Sequence, residues 1–328
     1  MAVHDNYHCP SVDYLRISVT DRCNQRCFYC MPHGDIPVFA HSEILRYEEI
    51  LAIVRAAVKT GFRKFRLTGG EPLVRKNICE LIREMVAIDG VEEVALTTNG
   101  ALLENMAPAL ADAGLRRLNV SLDTLNPLKF RKITKSDNYY RVLRGIETAR
   151  KVGLNPLKIN MVVIGGVNDD EVEDFGRWAI KEALTVRFIE YMPIGCRHCW
   201  DAAKLVAIDA IRRRLARVAT LEPLDRRIGD GPAKRYRLGT TAEIGLIGAV
   251  SEHFCSSCNR LRLTPEGKLR PCLLRDKEID IKIPLRAGCD ERRLIDLIQT
   301  AVGAKTGHHA PDLLGESRVQ RNMSRIGG

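Results

Sequence analysis

Six cysteines in the chain fall into two sets of three. The first set, Cys23, Cys27 and Cys30, has the spacing C-x3-C-x2-C, and the second, Cys255, Cys258 and Cys272, has the spacing C-x2-C-x13-C. Three thiolates from one short loop can hold three irons of a cubic [4Fe-4S] cluster, whereas a cluster that only carries electrons normally takes four cysteines. The fourth iron is then open to a ligand with an amine and a carboxylate, which is what S-adenosylmethionine presents. The first spacing therefore suggests an enzyme rather than an electron wire. Zinc is the competing reading, because it wants four Cys or His ligands, and His4, His8 or His33 could supply the fourth. The second set leaves the same choice open, between a second cluster and a zinc site completed by His253. Arg260 and Arg262 lie between its ligands. On a short strand both would point to one side, and planar guanidinium forks suit phosphate oxygens.

The bulk properties bound what such sites can serve. The 328 residues, 45% hydrophobic and 28% charged, are enough for one large α/β barrel or two ordinary domains with a buried core. No stretch approaches the ~20 apolar residues of a membrane span, and Met1 to Pro10 lacks the basic-then-apolar run of a signal peptide, so a cytoplasmic protein without a membrane partner is expected. Eleven cysteines that cluster at metal-ligand spacings, six of them in the two sets, in a chain of this size read as reduced thiols rather than disulfides. A net charge of +10 favours anionic partners. Aromatic residues make up only 5% of the chain, too few for a base-stacking platform. The expected anion is a phosphate-bearing small molecule, not a nucleic acid.

Short β-rich runs alternate with amphipathic helical stretches, the pattern of βα units and a parallel sheet. Strands are predicted near 13–20, 62–68, 91–99, 115–121, 156–163 and 184–192, and helices near 47–60, 77–87, 101–113, 139–152, 170–183 and 201–216. Six right-handed units make an incomplete (β/α)6 TIM-like barrel, with chemistry at the C-terminal ends of its strands. The first cysteine loop directly follows strand one and so lies at that end. Side chains two apart share a face of a strand. Arg16 therefore faces with Tyr14 and Ser18, Lys64 with Arg66 and Thr68, Thr97 with Asn99, Asn119 with Ser121, and Lys158 with Asn160. Parallel strands buried on both faces should read as continuous apolar runs, so this polar face implies a barrel interior that holds a polar, anionic ligand. After about Arg217 the βα rhythm stops, with strand-like pieces at 234–238, 245–250 and 260–264 and a helix near 290–303. Residues 1–216 read as the partial barrel and 217–328 as a smaller C-terminal layer that carries the second cysteine set over the open side.

The first cysteine motif, with Tyr29 before its last thiol, resembles the radical S-adenosylmethionine superfamily. Thr68-Gly69-Gly70-Glu71-Pro72, Thr97-Thr98-Asn99-Gly100, Ser121-Leu122-Asp123, the segment from Cys255 through Arg262 with its distant Cys272, and Gly327-Gly328 extend that resemblance over nearly the whole chain. Together they are similar to the molybdenum cofactor biosynthesis protein A family. The resemblance implies a GTP 3',8-cyclase with two [4Fe-4S] clusters. Reductive cleavage of S-adenosylmethionine would give a 5'-deoxyadenosyl radical, which would take hydrogen from ribose C3' of GTP. Ring closure onto guanine C8 would follow. It also implies contacts to S-adenosylmethionine from Tyr29, Gly70, Ser121 and Met192, with Gly70 letting backbone approach the methionine end. GTP contacts are implied for Arg16, Arg66, Thr97, Lys158, Arg260 and Arg262, with Lys64 added because it shares a face with Arg66. The second cluster's open iron would hold the guanine. Arg260 and Arg262, with Gly327 and Gly328 as a tail inserted into the site, would serve catalysis.

Implied partners are an electron-donor protein, the downstream cyclic pyranopterin monophosphate synthase and a second copy in a homodimer. Cys196 and Cys199, flanking His198, depart from the family pattern and read as an adventitious pair, since no fourth ligand is spaced for them. Cys9, Cys79 and Cys289 read as structural. Two other functions fit parts of the pattern. A peptide-modifying radical enzyme with an auxiliary cluster has less need of cationic residues in one cavity. An iron-sulfur nucleic-acid sensor would show salt-dependent DNA binding and no cleavage of S-adenosylmethionine.

Overall fold

A two-residue period builds the central sheet. In the first strand Leu15 and Ile17 are buried on the side away from the barrel interior while Tyr14 and Arg16 take the other side, and the strands that follow repeat the alternation. The computed structural model describes residues 12–31, 38–194, 200–225, 231–305 and 321–327. Its strands and helices in chain order are β1 (Tyr14–Ser18), α1 (Tyr47–Lys59), β2 (Lys64–Thr68), α2 (Ile78–Val86), β3 (Glu93–Thr98), α3 (Leu103–Asp112), β4 (Arg117–Ser121), α4 (Pro127–Thr134), α5 (Tyr139–Lys151), β5 (Leu157–Val163), α6 (Val172–Glu182) and β6 (Thr185–Glu190). They continue as α7 (Ile208–Ala216), β7 (Leu221–Leu224), β8 (Lys234–Leu238), β9 (Ala242–Ile247), β10 (Arg260–Leu263), β11 (Lys268–Arg270), β12 (Ile279–Asp280), α8 (Lys282–Arg286), α9 (Glu291–Gly303) and α10 (Met323–Ile326).

Helix α1 shows how the outer layer forms. Ile50, Leu51, Ile53, Val54 and Ala57 are buried on one side, Glu48 and Glu49 sit in the first turn and Lys59 in the last, where each suits the helix dipole. The Glu49 carboxylate also accepts from the Arg46 backbone N–H at 2.7 Å. With its counterparts, α1 covers the apolar outer face of a six-stranded parallel arc, β1 to β6. The incomplete (β/α)6 barrel read from the sequence is the fold observed.

The C-terminal strands attach differently from the layer the sequence suggested. They extend the same sheet at both ends, in the order β12-β11-β10-β1-β2-β3-β4-β5-β6-β9-β8-β7. Strand β10 pairs parallel with β1, Arg262 opposite Arg16, and β9 pairs parallel with β6, Gly245 opposite Arg187. An arc that stops at six strands has two bare edges of N–H and C=O groups, and these pairings satisfy both. The predicted helix over 201–216 is broken. A short 3-10 turn at Ala202–Lys204 precedes α7, and extended backbone at Ala207 separates the two. The buried Glu190 carboxylate, accepting from the Ile208 N–H at 2.9 Å, fixes where α7 starts. Helix α4 and strands β7, β11 and β12 were not anticipated. Among the described residues no helix is long and apolar enough to cross a membrane.

Candidate active site

A cavity of about 290 Å³ runs through the barrel interior, from the C-terminal ends of the strands, where the loop after β1 lies, to the opposite end, where the chain enters β10 and leaves β11. All six ligand-spaced cysteines line it, with Cys23, Cys27 and Cys30 on the loop after β1 and Cys255, Cys258 and Cys272 on the segments around β10 and β11. Tyr29, Gly70, Ser121, Met192, Arg16, Thr97, Arg260 and Arg262 share its wall.

The first cysteine loop is held from two sides. Its backbone donates from Arg26 N–H to Thr134 O at 2.8 Å and from Phe28 N–H to Ile133 O at 3.1 Å, so the end of α4 carries it. From within, the Tyr29 hydroxyl donates to Asp123 at 2.6 Å, and the other oxygen of Asp123 accepts from Val162 N–H at 2.9 Å. Gly70 lines the cavity, but the loop itself gives the immediate reason for a glycine. A Cβ there would lie 2.4 Å from the Arg22 carbonyl oxygen and 2.7 Å from that of Asp21. Glu71 is buried and accepts from Leu73 N–H, Thr98 Oγ1 and Asn99 N–H at 3.0, 2.7 and 2.6 Å. Burial pushes its carboxyl up to about 7 against these hydrogen bonds, and likewise raises Asp123 to about 6. The thiols beside them go the same way. Burial pushes Cys23 up to about 11 and Cys30 to about 12, with neighbouring negative groups adding to it.

The second set sits among cations. Burial alone would raise the Cys258 thiol, but the Arg260 guanidinium and the Lys305 ammonium outweigh it and hold the group down at about 6. The Lys305 ammonium lies 3.3 Å from the Cys258 sulfur and donates to the carbonyls of Arg260 at 2.9 Å and Pro271 at 3.2 Å. It thereby ties together the two segments that bear Cys258 and Cys272. The Arg260 guanidinium also lies over the Phe254 ring, 5.2 Å from its centroid.

Between the two sets the inner face of the sheet is strongly positive. Strand register places Arg16 beside Arg262 on one side and Arg66 on the other. Burial, followed by the charge of Arg262, holds Arg16 well below its ordinary range, and burial with Arg260 lowers Arg262 to about 9. Arg66 and Lys158 are buried beneath the cavity wall. Arg66 donates to Thr97 Oγ1 at 3.3 Å, and Lys158 lies 4.0 Å from Glu243. Lys64, at the N-terminal end of β2, is directed to Asp13 at 3.4 Å and is not brought to the wall. Arg187 was missed. It lies on the same inner face, lowered to about 10 by burial and the charge of Arg66, and with the Asn119 amide suitably oriented it shares that oxygen with Arg66. Its signals were its place directly opposite Asn160 in the sheet and a glycine in β9. A Cβ on Gly245 would lie 2.9 Å from Arg187 Cγ. So many buried guanidiniums repel one another until an anion joins them.

The chain's last described residues reach this site. The Ser324 backbone N–H bonds the Cys30 thiol, and Arg262 donates to the Gly327 carbonyl. Gly327 has φ +73°, and a Cβ there would lie 3.0 Å from both Ser18 Cβ and Thr68 Cγ2. The seat against the ends of β1 and β2 therefore admits glycine. Gly328 lies outside the described residues, as do Cys196, Cys199, His198, His4, His8, His33 and Cys9.

Residues 17–179 match the Radical SAM superfamily and residues 184–311 match Molybdenum Cofactor Synthesis C. The GTP 3',8-cyclase of Moorella thermoacetica is 50% identical over 318 residues, covering 97% of this chain and 98% of that protein. That of Pelotomaculum thermopropionicum is 49% identical over 319 residues, with 97% and 98% covered. The chain belongs to the GTP 3',8-cyclase family. Among solved structures, Streptococcus suis SuiB bound to S-adenosylmethionine is 15% identical with a TM-score of 0.60, covering 82% of this chain and 63% of that one, a likeness of fold.

As a member of the GTP 3',8-cyclase family within the radical SAM superfamily, the chain uses S-adenosylmethionine and an iron-sulfur cluster. The donor set fits the cluster. Among the described residues no three His, Cys, Asp or Glu side chains converge as they would around one metal ion. The thiols of the first set nevertheless feel one another's charge, as do those of the second. Three thiols from one short loop suit a cluster that keeps one iron open better than a lone zinc, which wants four Cys or His ligands. Sequence reasoning had named the motifs containing Glu71 and Asp123 without giving either residue a role, and had passed over Lys305.

Proposed function

We propose that this chain is a GTP 3',8-cyclase of molybdenum cofactor biosynthesis with two [4Fe-4S] clusters, one on Cys23, Cys27 and Cys30 and one on Cys255, Cys258 and Cys272. The observation that carries this reading is a single cavity lined by three thiols after β1, three around β10 and β11, and the arginines of the strands that run between them. With the first cluster and S-adenosylmethionine bound, they supply a 5'-deoxyadenosyl radical able to take the C3' hydrogen and let that carbon close on guanine C8.

The chain's own residues do the placing. Tyr29, Gly70, Ser121 and Met192 wall the S-adenosylmethionine side. Arg16, Arg260 and Arg262 grip the triphosphate, with Arg66, Arg187 and Lys158 holding the field beneath it and Thr97 offering a hydroxyl. Charge-assisted, forked hydrogen bonds of this kind fix orientation as well as affinity. Lys64, paired with Asp13, has the weakest claim to a phosphate. Gly327 closes the site beside Arg262 and keeps water from it, and Gly328, outside the described residues, is proposed to serve catalysis with it. Residues 1–216 supply the radical side and 217–328 the substrate side. The enzyme works in the cytoplasm as a homodimer, takes electrons from a donor protein and passes its product to cyclic pyranopterin monophosphate synthase.

The test is anaerobic incubation of reduced protein with S-adenosylmethionine and each nucleoside triphosphate in turn. The product of GTP has the mass of GTP, because the hydrogen lost is replaced by an electron and a proton. It is therefore followed by chromatographic retention and by label. GTP deuterated at C3' should pass deuterium to 5'-deoxyadenosine. Label retained in GTP, or equal consumption of ATP, overturns the reading.

A further inference from the structure

An electron must reach the first cysteine set from outside, because the cavity side is given over to substrate and S-adenosylmethionine. The surface over that loop is unusual in charge. Arg26 is exposed and its guanidinium donates to the carbonyls of Cys23 and Gln25, so the cation rests on the outer face of the loop. A small hollow walled by Asp21, Arg26, Met31, Val38, Ser324 and Arg325 reaches Cys23 from this side, its one carboxylate, Asp21, being buried and accepting from the Phe39 N–H at 2.7 Å. Val38 is 47% exposed at its rim, an apolar spot among cations. The Arg325 guanidinium is held there over the Phe39 ring, 4.7 Å from the centroid.

Helix α4 extends the same ridge. Its C-terminal carbonyls accept the loop's Arg26 and Phe28 N–H groups, so Arg131, Lys132 and Lys135 lie within one turn of the loop's backbone partners, and all three are exposed. Neither residues 22–31 nor residues 127–135 contain an Asp or Glu. Asp137, which pairs with Arg131 at 3.3 Å, is the first carboxylate beyond α4. Cations in a last helical turn suit the helix dipole, but that does not account for Arg26 and Arg325 arriving from two other segments around the same cysteine.

We propose that this surface, Arg26, Val38 and Arg325 around the Cys23 hollow with Arg131, Lys132 and Lys135 beside it, docks an acidic one-electron carrier protein. The inference rests on the proposed function, since it needs a cluster on Cys23, Cys27 and Cys30. A reduced flavin carrier gives up one electron on docking, the cluster takes it up, and that electron is spent when S-adenosylmethionine is cleaved to methionine and the 5'-deoxyadenosyl radical. Mixed apolar and cationic patches suit a transient partner, whose encounter rate depends on charge complementarity and falls with salt.

The experiment uses the reconstituted full chain and the double variant Lys132→Glu/Lys135→Glu, with an acidic flavodoxin in its fully reduced state or dithionite as reductant. Formation of 5'-deoxyadenosine is followed at low and high salt. For the wild type with flavodoxin the rate should fall steeply with salt, and the double variant should lose roughly tenfold at low salt and most of the salt dependence. With dithionite the two proteins should match, which also shows that the variant is folded. Equal flavodoxin-driven rates in wild type and variant overturn the proposal, as does a wild-type rate indifferent to salt. Failure of the wild type with dithionite would instead overturn the cluster reading beneath it.

Discussion

Cys23, Cys27 and Cys30 share their part of the cavity with the carboxyls of Glu71 and Asp123, whereas Cys255, Cys258 and Cys272 share theirs with Arg260, Arg262 and Lys305. On the cavity side the two sets have the same number of thiols and opposite electrostatics. Negative neighbours make it harder to add an electron and positive ones make it easier, a lever proteins use to set cluster potentials. A site that must drive reduction of a sulfonium belongs in the first environment. One that must hold a triphosphate beside it belongs in the second. The number of thiols therefore says what can be bound, and the side chains around them say what it is for.

The largest break would come from removing one thiol from each set. Cys23→Ala should abolish 5'-deoxyadenosine formation and leave about four of roughly eight irons after anaerobic reconstitution. Cys272→Ala should keep 5'-deoxyadenosine formation while cyclisation of GTP is lost. Equal losses in both would erase the distinction.

Thiol reactivity of the metal-free protein is the next measure. The thiolate is the reactive form, so Cys258 at about 6 is mostly ionised at pH 7 while Cys23 at about 11 is not. Since a thiolate of lower pKa is also intrinsically less nucleophilic, limiting iodoacetamide should modify Cys258 ~10²-fold faster than Cys23, read by peptide mass spectrometry. Lys305→Met should slow Cys258 roughly tenfold at that pH.

The carboxyl side has its own signature in folding. Glu71 is raised in the folded state from 4.5 to about 7, so its contribution to stability is full below pH 4.5 and is lost as pH rises through 7. For a group this buried the loss is about 3 kcal/mol. Urea unfolding of the metal-free protein across that range should show it, and Glu71→Gln should flatten it. Smaller still, Arg260→Ala should weaken GTP binding by ~10-fold or more in anaerobic calorimetry, while Lys64→Ala, whose lysine is engaged by Asp13, should change it by less than about twofold. Equal effects would return Lys64 to the phosphate site.

Much of this could be read before any coordinates. Motif spacing located both thiol sets, and the period of two found the inward polar face because Arg16, Arg66 and Lys158 interrupt strands that are otherwise apolar. Arg187 escaped since its partner signal, Gly245, sits on a strand that joins β6 only in the folded sheet. Helix α4 escaped because its start, Asn126 followed by Pro127, reads as a turn, although the Asn126 side chain caps the first N–H groups in the structure. The edge pairings of β9 and β10 link residues far apart in the chain, and local patterns carry no information about such contacts. Lys305 was invisible for the same reason, since it meets Cys258 only after α9 has packed.

The pairing of β1 with β10 also orders events in time. During synthesis the outer edge of β1 stays bare until Arg260–Leu263 have been made. At translation speeds of about 5–20 residues per second that interval is on the order of tens of seconds. Throughout it, the Cys23 loop beside that edge is open to whatever delivers iron and sulfide. The thiols around β10 emerge at the moment the edge is closed, so if both sets hold clusters as proposed, the Cys23 set is ready to be filled first.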